Sequence, residues 1–233
     1  MMRAGNLARF EKAIRAGAYL FHFHTSITDG ANTLPQYCEA AKKCGFRSLI
    51  ITEHVRRKCT FDFPSLLEEA KKCEEAYEIP IILGVEAKVL PEGFLDVSDD
   101  IIVRIHVLGI AVHSFPFPST ALAEALVRVF ERYRGTDVAL VWLHPGSHLL
   151  DREAGSGQLL KDLLSLAVGS GVYIELNVKH SLPPEDLRVL VPPTQAVIGV
   201  DAHSVDEVRT YASMVLDMEK AWSHRMANHI QKG

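Results

Sequence analysis

Short apolar runs alternate along the chain with longer segments whose apolar residues recur at helical spacing. The runs lie at 18–23, at 48–52 (SLIIT), at 81–85 (IILGV), at 107–112, at 138–143 (VALVWL), at 172–176 and at 196–200. Each is continuous rather than alternating, the pattern of a parallel strand covered on both faces. The segments between them carry helix start and stop signals. Thr33-Leu34-Pro35 opens a helix that Gly45 closes. Ser65 with Glu68, and Ser204 with Glu207, read as capping boxes. The Ser65 helix is expected to run to Tyr77; others are expected over 120–133 and 157–168, a short one from Pro184, and a last one over 220–230. Residues 1–17 carry a weaker amphipathic helix through Leu7, Phe10 and Ile14, read as a lead-in over one end of a single domain formed by residues 18–233. The residues that follow successive strands are 26 to 32 positions apart, close to one βαβ unit each. An α/β fold with a parallel sheet is therefore expected, at a length that barrels of alternating strands and helices reach as one domain.

The ends of these runs carry the chemistry. The first ends in His22-Phe23-His24, and strand residues i and i+2 point to one side. Taken alone, the pair fits a solvated strand face as well as a chelate. The later runs end in His54, Glu86, His113, His144 and Asp201-Ala202-His203, while the sixth carries Glu175 and Asn177. In a closed parallel barrel all C-terminal strand ends share one rim, so these side chains are expected to converge there. His106 also lies near strand four, but His113 ends the apolar run and is preferred. Imidazole and carboxylate donors without cysteine favour Zn, Mn or Fe. A catalytic zinc uses about three protein ligands, so this donor set implies two or three divalent ions. Clustered ions activate a bridging hydroxide and stabilise in-line displacement at phosphorus, which makes phosphate-ester hydrolysis the expected reaction.

Composition narrows the alternatives. The longest apolar run, Val138–Leu143, is far short of the ~20 residues of a membrane span. Arg3 and Arg9 are followed by no apolar core or cleavage site, so no signal peptide is expected and a cytoplasmic location is. A net charge of −4 supplies no global field for nucleic acid. Cys38, Cys44, Cys59 and Cys73 form no C-x-x-C pair and read as reduced thiols, with Cys59 close to a rim loop. Walker, GxGxxG and G-x-S-x-G sequences are absent.

The motifs HFHTSITDG (22–30), TEH (52–54), GVEA (84–87), AVHS (111–114), HPG (144–146), ELN (175–177) and GVDAH (199–203) resemble, in order and spacing, the PHP (polymerase and histidinol phosphatase) superfamily. GVEAKVLPEGFLDVSDDIIV followed by GIAVHS is most similar to the PHP domain of bacterial family X DNA polymerases and to free-standing PHP proteins like it. The resemblance implies a distorted, seven-stranded (β/α)7 TIM-like barrel with a trinuclear site. It implies one metal on His22, His24, Glu86 and Asp201, a second on Glu86, His113 and His144, and a third on Asp29, His54 and His203. Glu86, His144 and Asp201 would then stand closest to the reaction. Glu53 replaces the family's usual Asp and is not expected to bind metal. Arg56 and Arg57, with Lys58 beside them, are candidates for gripping substrate phosphate; Asn177, Lys179 and His180 are candidates for lining the substrate pocket, and His148 sits near His144.

The expected substrate is a phosphorylated small molecule or a nucleic-acid end. The motif likeness favours the end; the negative charge and the chain's length favour the small molecule or a short oligonucleotide. A TatD-type or amidohydrolase barrel also opens with H-x-H, but its last strand normally ends in a lone Asp. A non-catalytic RNA- or protein-binding barrel, as in ribonuclease P, would not need the full ligand set.

Overall fold

The computed structural model describes residues 5–150 and 156–230, with side chains to Arg225. Seven parallel strands follow one another in chain order: β1 (Tyr19–Phe21), β2 (Ser48–Val55), β3 (Ile81–Lys88), β4 (Val107–Ala111), β5 (Ala139–Trp142), β6 (Tyr173–Asn177) and β7 (Ala196–Gly199). The ring closes just past the first and last strands, where Phe23 bridges Ala202 and the Val200 N–H donates to the Phe21 carbonyl. The chain is thus a seven-stranded (β/α) barrel. The helices are α1 (Asn6–Ala16), α2 (Leu34–Cys44), α3 (Phe63–Tyr77), α4 (Asp99–Ile102), α5 (Ser119–Arg132), α6 (Ser156–Gly169) and α7 (Val205–Ile230). A six-residue 3-10 turn, Glu185–Leu190, stands where a short helix is expected from Pro184.

Two apolar clusters sit on the two sides of the sheet. The inner one joins Phe21, Ile50, Ile82, Val107, Val141 and Val197 to Phe10 and Ala13 of α1. The lead-in helix therefore plugs the N-terminal mouth of the barrel. The larger outer cluster lies between strands and helices and includes Leu49, Ile51, Val85, Leu126, Trp142 and Leu164.

The local signals act mostly as expected. Thr33 and Gln36 form a capping box on α2, and Gly45 ends it in the left-handed region. Two expectations are corrected. The N-cap of α3 is Asp62 rather than Ser65; Pro64 suits the first turn, and the Ser65 hydroxyl donates back to Asp62 at 2.7 Å. The helices expected after Ser204 and over 220–230 are one helix, because no Gly or Pro interrupts 205–230. The short α4 has too few residues for a periodic signal.

Candidate metal centre

Period-two alternation sets which strand residues face the barrel axis. In β2 the inward set is Ile50, Thr52 and His54; in β3 it is Ile82, Gly84 and Glu86, and His54 sits beside Glu86 in register. Beyond the strands the backbone bends to complete the rim. His22, His144 and Asp201 have positive φ angles of 63°, 31° and 61°. Left-handed backbone at a non-glycine residue costs of order 1–3 kcal/mol and persists where surrounding structure imposes it, most often at functional sites. His22 and His24 therefore do not share a regular strand, as their spacing suggests. β1 ends at Phe21, the chain turns at His22, Phe23 packs outward on Tyr37, and both imidazoles point inward with ring centroids 5.3 Å apart.

Glu86 is the hub. Its fully buried carboxylate lies within 3.0 Å of His22 Nε2, 3.1 Å of His24 Nε2, 2.7 Å of His113 Nε2, 3.4 Å of His144 Nε2 and 3.7 Å of His54 Nδ1. Burial alone would raise its pKa, but the hydrogen bonds from His113, His144, His22 and His24 hold it well below the usual carboxylate range. Asp201 lies 3.3 Å from His22 and 3.2 Å from His24 and is lowered in the same way. Asp29, half exposed on the rim, lies 3.2 Å from His54 and 3.5 Å from His203. Burial pushes His54 down to about 4, so its imidazole is neutral, the form that binds metal.

Three groups of donor atoms each fall within 4.8 Å of one another: His22, His24, Glu86 and Asp201; His54, Glu86 and His113; and His24, Asp29, His54 and His203. His144 approaches the same Glu86 oxygen as His113. All nine expected ligands thus meet at one rim. Five imidazole nitrogens crowd one carboxylate, more than its lone pairs can satisfy as hydrogen bonds. His24 Nδ1 and His54 Nδ1 are buried without a hydrogen-bond partner. A set of divalent cations fits both features.

His106 belongs elsewhere: its Nδ1 accepts from the Leu83 N–H at 3.1 Å, at the opposite end of β4. Arg56 lines the rim beside Asp29, His54 and His113. Arg57 is exposed and only its backbone N–H is used, donating to Asp96. Asn177 is fully buried; its amide donates to Glu175 at 3.1 Å and its oxygen accepts from the His180 N–H. Lys179 pairs with Glu207 at 2.7 Å and donates to the Asp201 carbonyl. Asn177 and Lys179 therefore brace the rim, and neither lines the rim cavity. His180 reaches Asp201 at 2.8 Å and lines the rim cavity with His148.

Two residues noted in the sequence without a role at the site complete it. Glu175 is fully buried in the barrel and accepts from His22 Nδ1–H at 2.7 Å and from the His144 backbone N–H. It fixes the His22 tautomer so that Nε2 faces Glu86 and Asp201, the usual role of a carboxylate behind a metal-binding imidazole. A charged residue inside the apolar run of strand six is the signal that could have found it. Glu53 points to the outer side of β2, where it accepts from the Thr25 N–H and from the Thr25 and Thr28 hydroxyls, bracing the loop that carries Asp29. Burial raises its pKa against these hydrogen bonds.

A barrel whose C-terminal rim gathers imidazoles and carboxylates in overlapping donor sets belongs to the broad class of metal-binding (β/α) barrels. More narrowly, residues 20–179 match the PHP domain model, more than half of the chain, and the chain belongs to that family. The DNA polymerase/3'-5' exonuclease PolX of Bacillus subtilis is 27% identical over 216 residues, which cover 87% of this chain and 37% of that protein. The chain thus spans little more than a third of that relative. The fold is similar to the crystal structure of a histidinol phosphate phosphatase from Lactococcus lactis in complex with zinc, L-histidinol and phosphate. The TM-score is 0.62 and the identity 13%, over 84% of this chain and 93% of that one.

Proposed function

We infer that the protein is a metal-dependent phosphoesterase with a trinuclear site. The convergence of six histidines with Glu86, Asp201 and Asp29 in overlapping donor sets carries this reading. His22, His24, Glu86 and Asp201 would hold one ion, Glu86, His113 and His144 a second, and Asp29, His54 and His203 a third. When bound, divalent ions supply Lewis-acid polarisation of a phosphoryl oxygen and lower the pKa of a coordinated water. The chain's own residues do the rest. Glu86 compensates positive charge at the centre of the cluster. Glu175 and Asn177 fix the imidazoles, and burial of His22, His24 and Glu86 keeps bulk water from competing. Arg56 stands at the edge, where a guanidinium suits a phosphate oxygen.

The favoured substrate is a nucleic-acid end. The rim cavity of about 320 Å³ adjoins a second of about 480 Å³, and Asp29, His54 and His113 line both. That length of open surface suits an extended substrate, and the family X polymerase relative is named as a 3'-5' exonuclease. A small phosphomonoester is the second reading, suited to the rim cavity alone. Hydrolysis of 3'-labelled single-stranded DNA, p-nitrophenyl phosphate and histidinol phosphate, with Mn and Zn in turn, separates them. Release of nucleotides from DNA is expected. Turnover of the monoesters without DNA cleavage would favour the second reading, and no turnover of any would overturn both.

A further inference from the structure

The largest described cavity lies at the other end of the barrel. It measures about 740 Å³ and opens between α1, α3 and the N-terminal ends of β2, β3 and β4. Ser48 and His54 are six positions apart on β2, so this mouth is ~20 Å from the rim at about 3.3 Å per residue. Its wall carries five cations, Arg9, Lys12, Arg47, Lys71 and Arg104, with Glu74 as the carboxylate among the lining residues. Glu74 is already engaged: Arg9 donates to its two oxygens at 2.7 and 2.8 Å. Arg9 also donates to the Ile81 carbonyl, and Arg47 to the Ala16 carbonyl, so both guanidinium groups are held in place. Lys12, Lys71 and Arg104 have no carboxylate partner within ion-pair distance among the described residues.

Such a concentration runs against a chain of net charge −4. Uncompensated like charges in a recess raise the local potential and draw anions. Two other polar residues stand on the cavity wall. Ser48, 5% exposed on the cavity wall, has a buried hydroxyl with no hydrogen-bond partner. His106 also lines the cavity, with its Nδ1 taken up by the Leu83 backbone. Ala13, Pro80 and Leu83 supply an apolar wall. The volume lies within the range of small-molecule pockets, about 300–1,000 Å³.

We propose that this N-terminal mouth is a binding site for a small phosphorylated anion, distinct from the metal centre. Lys12, Lys71 and Arg104 meet the phosphate charge, Arg9 and Arg47 frame it, and the apolar wall takes an organic part. Because α1 both plugs the barrel and lines the cavity, occupancy would stabilise the docked helix.

The test uses inorganic pyrophosphate and the full chain with its metals. In the unmodified protein, pyrophosphate is expected to protect Lys12 and Lys71, but not exposed Lys161, from amine acetylation read by mass spectrometry. Calorimetry is expected to show a pyrophosphate site that the double variant Lys71→Glu/Arg104→Glu weakens by roughly tenfold or more, the size of a lost charged hydrogen bond. His22→Ala/His24→Ala should leave that site in place, and Lys71→Glu/Arg104→Glu should leave phosphoesterase turnover unchanged. Unprotected Lys12 and Lys71 would overturn the proposal even if the charge-reversed protein failed to fold. So would pyrophosphate binding that disappears only in the histidine variant.

Discussion

At the scale of single residues, the site depends on one carboxylate and on what stands behind its partners. Glu86→Gln removes the charge around which five imidazoles gather, so metal content and turnover should both collapse while the barrel still folds. Elemental analysis beside circular dichroism checks this. Glu175→Gln keeps the shape but loses the carboxylate that fixes His22. Loss of such a partner typically costs about 10–100-fold in metal affinity or activity. Turnover that recovers with excess metal is the expected signature, read by titrating the depleted variant. Glu219 gives a prediction away from the metals. It is buried, it accepts the Ala18 N–H, and burial pushes its carboxyl up to about 8. The folded state therefore binds this proton more tightly than the unfolded chain. Its contribution to stability is complete below the ordinary glutamate range and is lost as pH rises through about 8. Melting temperatures between pH 5 and 9 should fall less steeply with rising pH in Glu219→Gln than in the parent; parallel curves would contradict it.

At the scale of elements, the strands place the ligands, and small residues make room for them. A Cβ at Gly199 of β7 would sit 2.0 Å from Glu175 Oε1. Gly199→Ala should displace Glu175 and cost of order 1–3 kcal/mol, the usual price of overpacking. A lowered melting temperature together with weaker metal binding is the expected pair of effects. Much at this scale is legible in the sequence. Continuous apolar runs mark the strands because both faces of a barrel strand are buried, and a ligand follows each of six runs because strand ends share a rim. What is not legible is the turn itself. The left-handed backbone at His22, His144 and Asp201 follows from barrel closure, a long-range constraint that spacing along the chain does not carry. The same holds for Asn177 and Lys179: each lies near the rim in sequence, and only the packing shows that its polar atoms are spent on Glu175, His180, Glu207 and Asp201.

At the scale of the whole molecule, the donor sets tie β1, β3 and the segment after β7 together across the seam where the ring closes. Ligands that bind only the folded state stabilise it by mass action. Chelation should therefore lower the melting temperature of the parent, and His22→Ala/His24→Ala should melt near the chelated parent with little further response to chelator. The most direct test of the account is a count of metal ions per chain, by elemental mass spectrometry of the purified protein beside that double variant. About two or three divalent ions per parent chain are predicted, as a cluster of this donor number requires, with a clear loss in the variant. Fewer than about one ion per chain in protein purified without chelator, or equal counts in parent and variant, would contradict the metal centre.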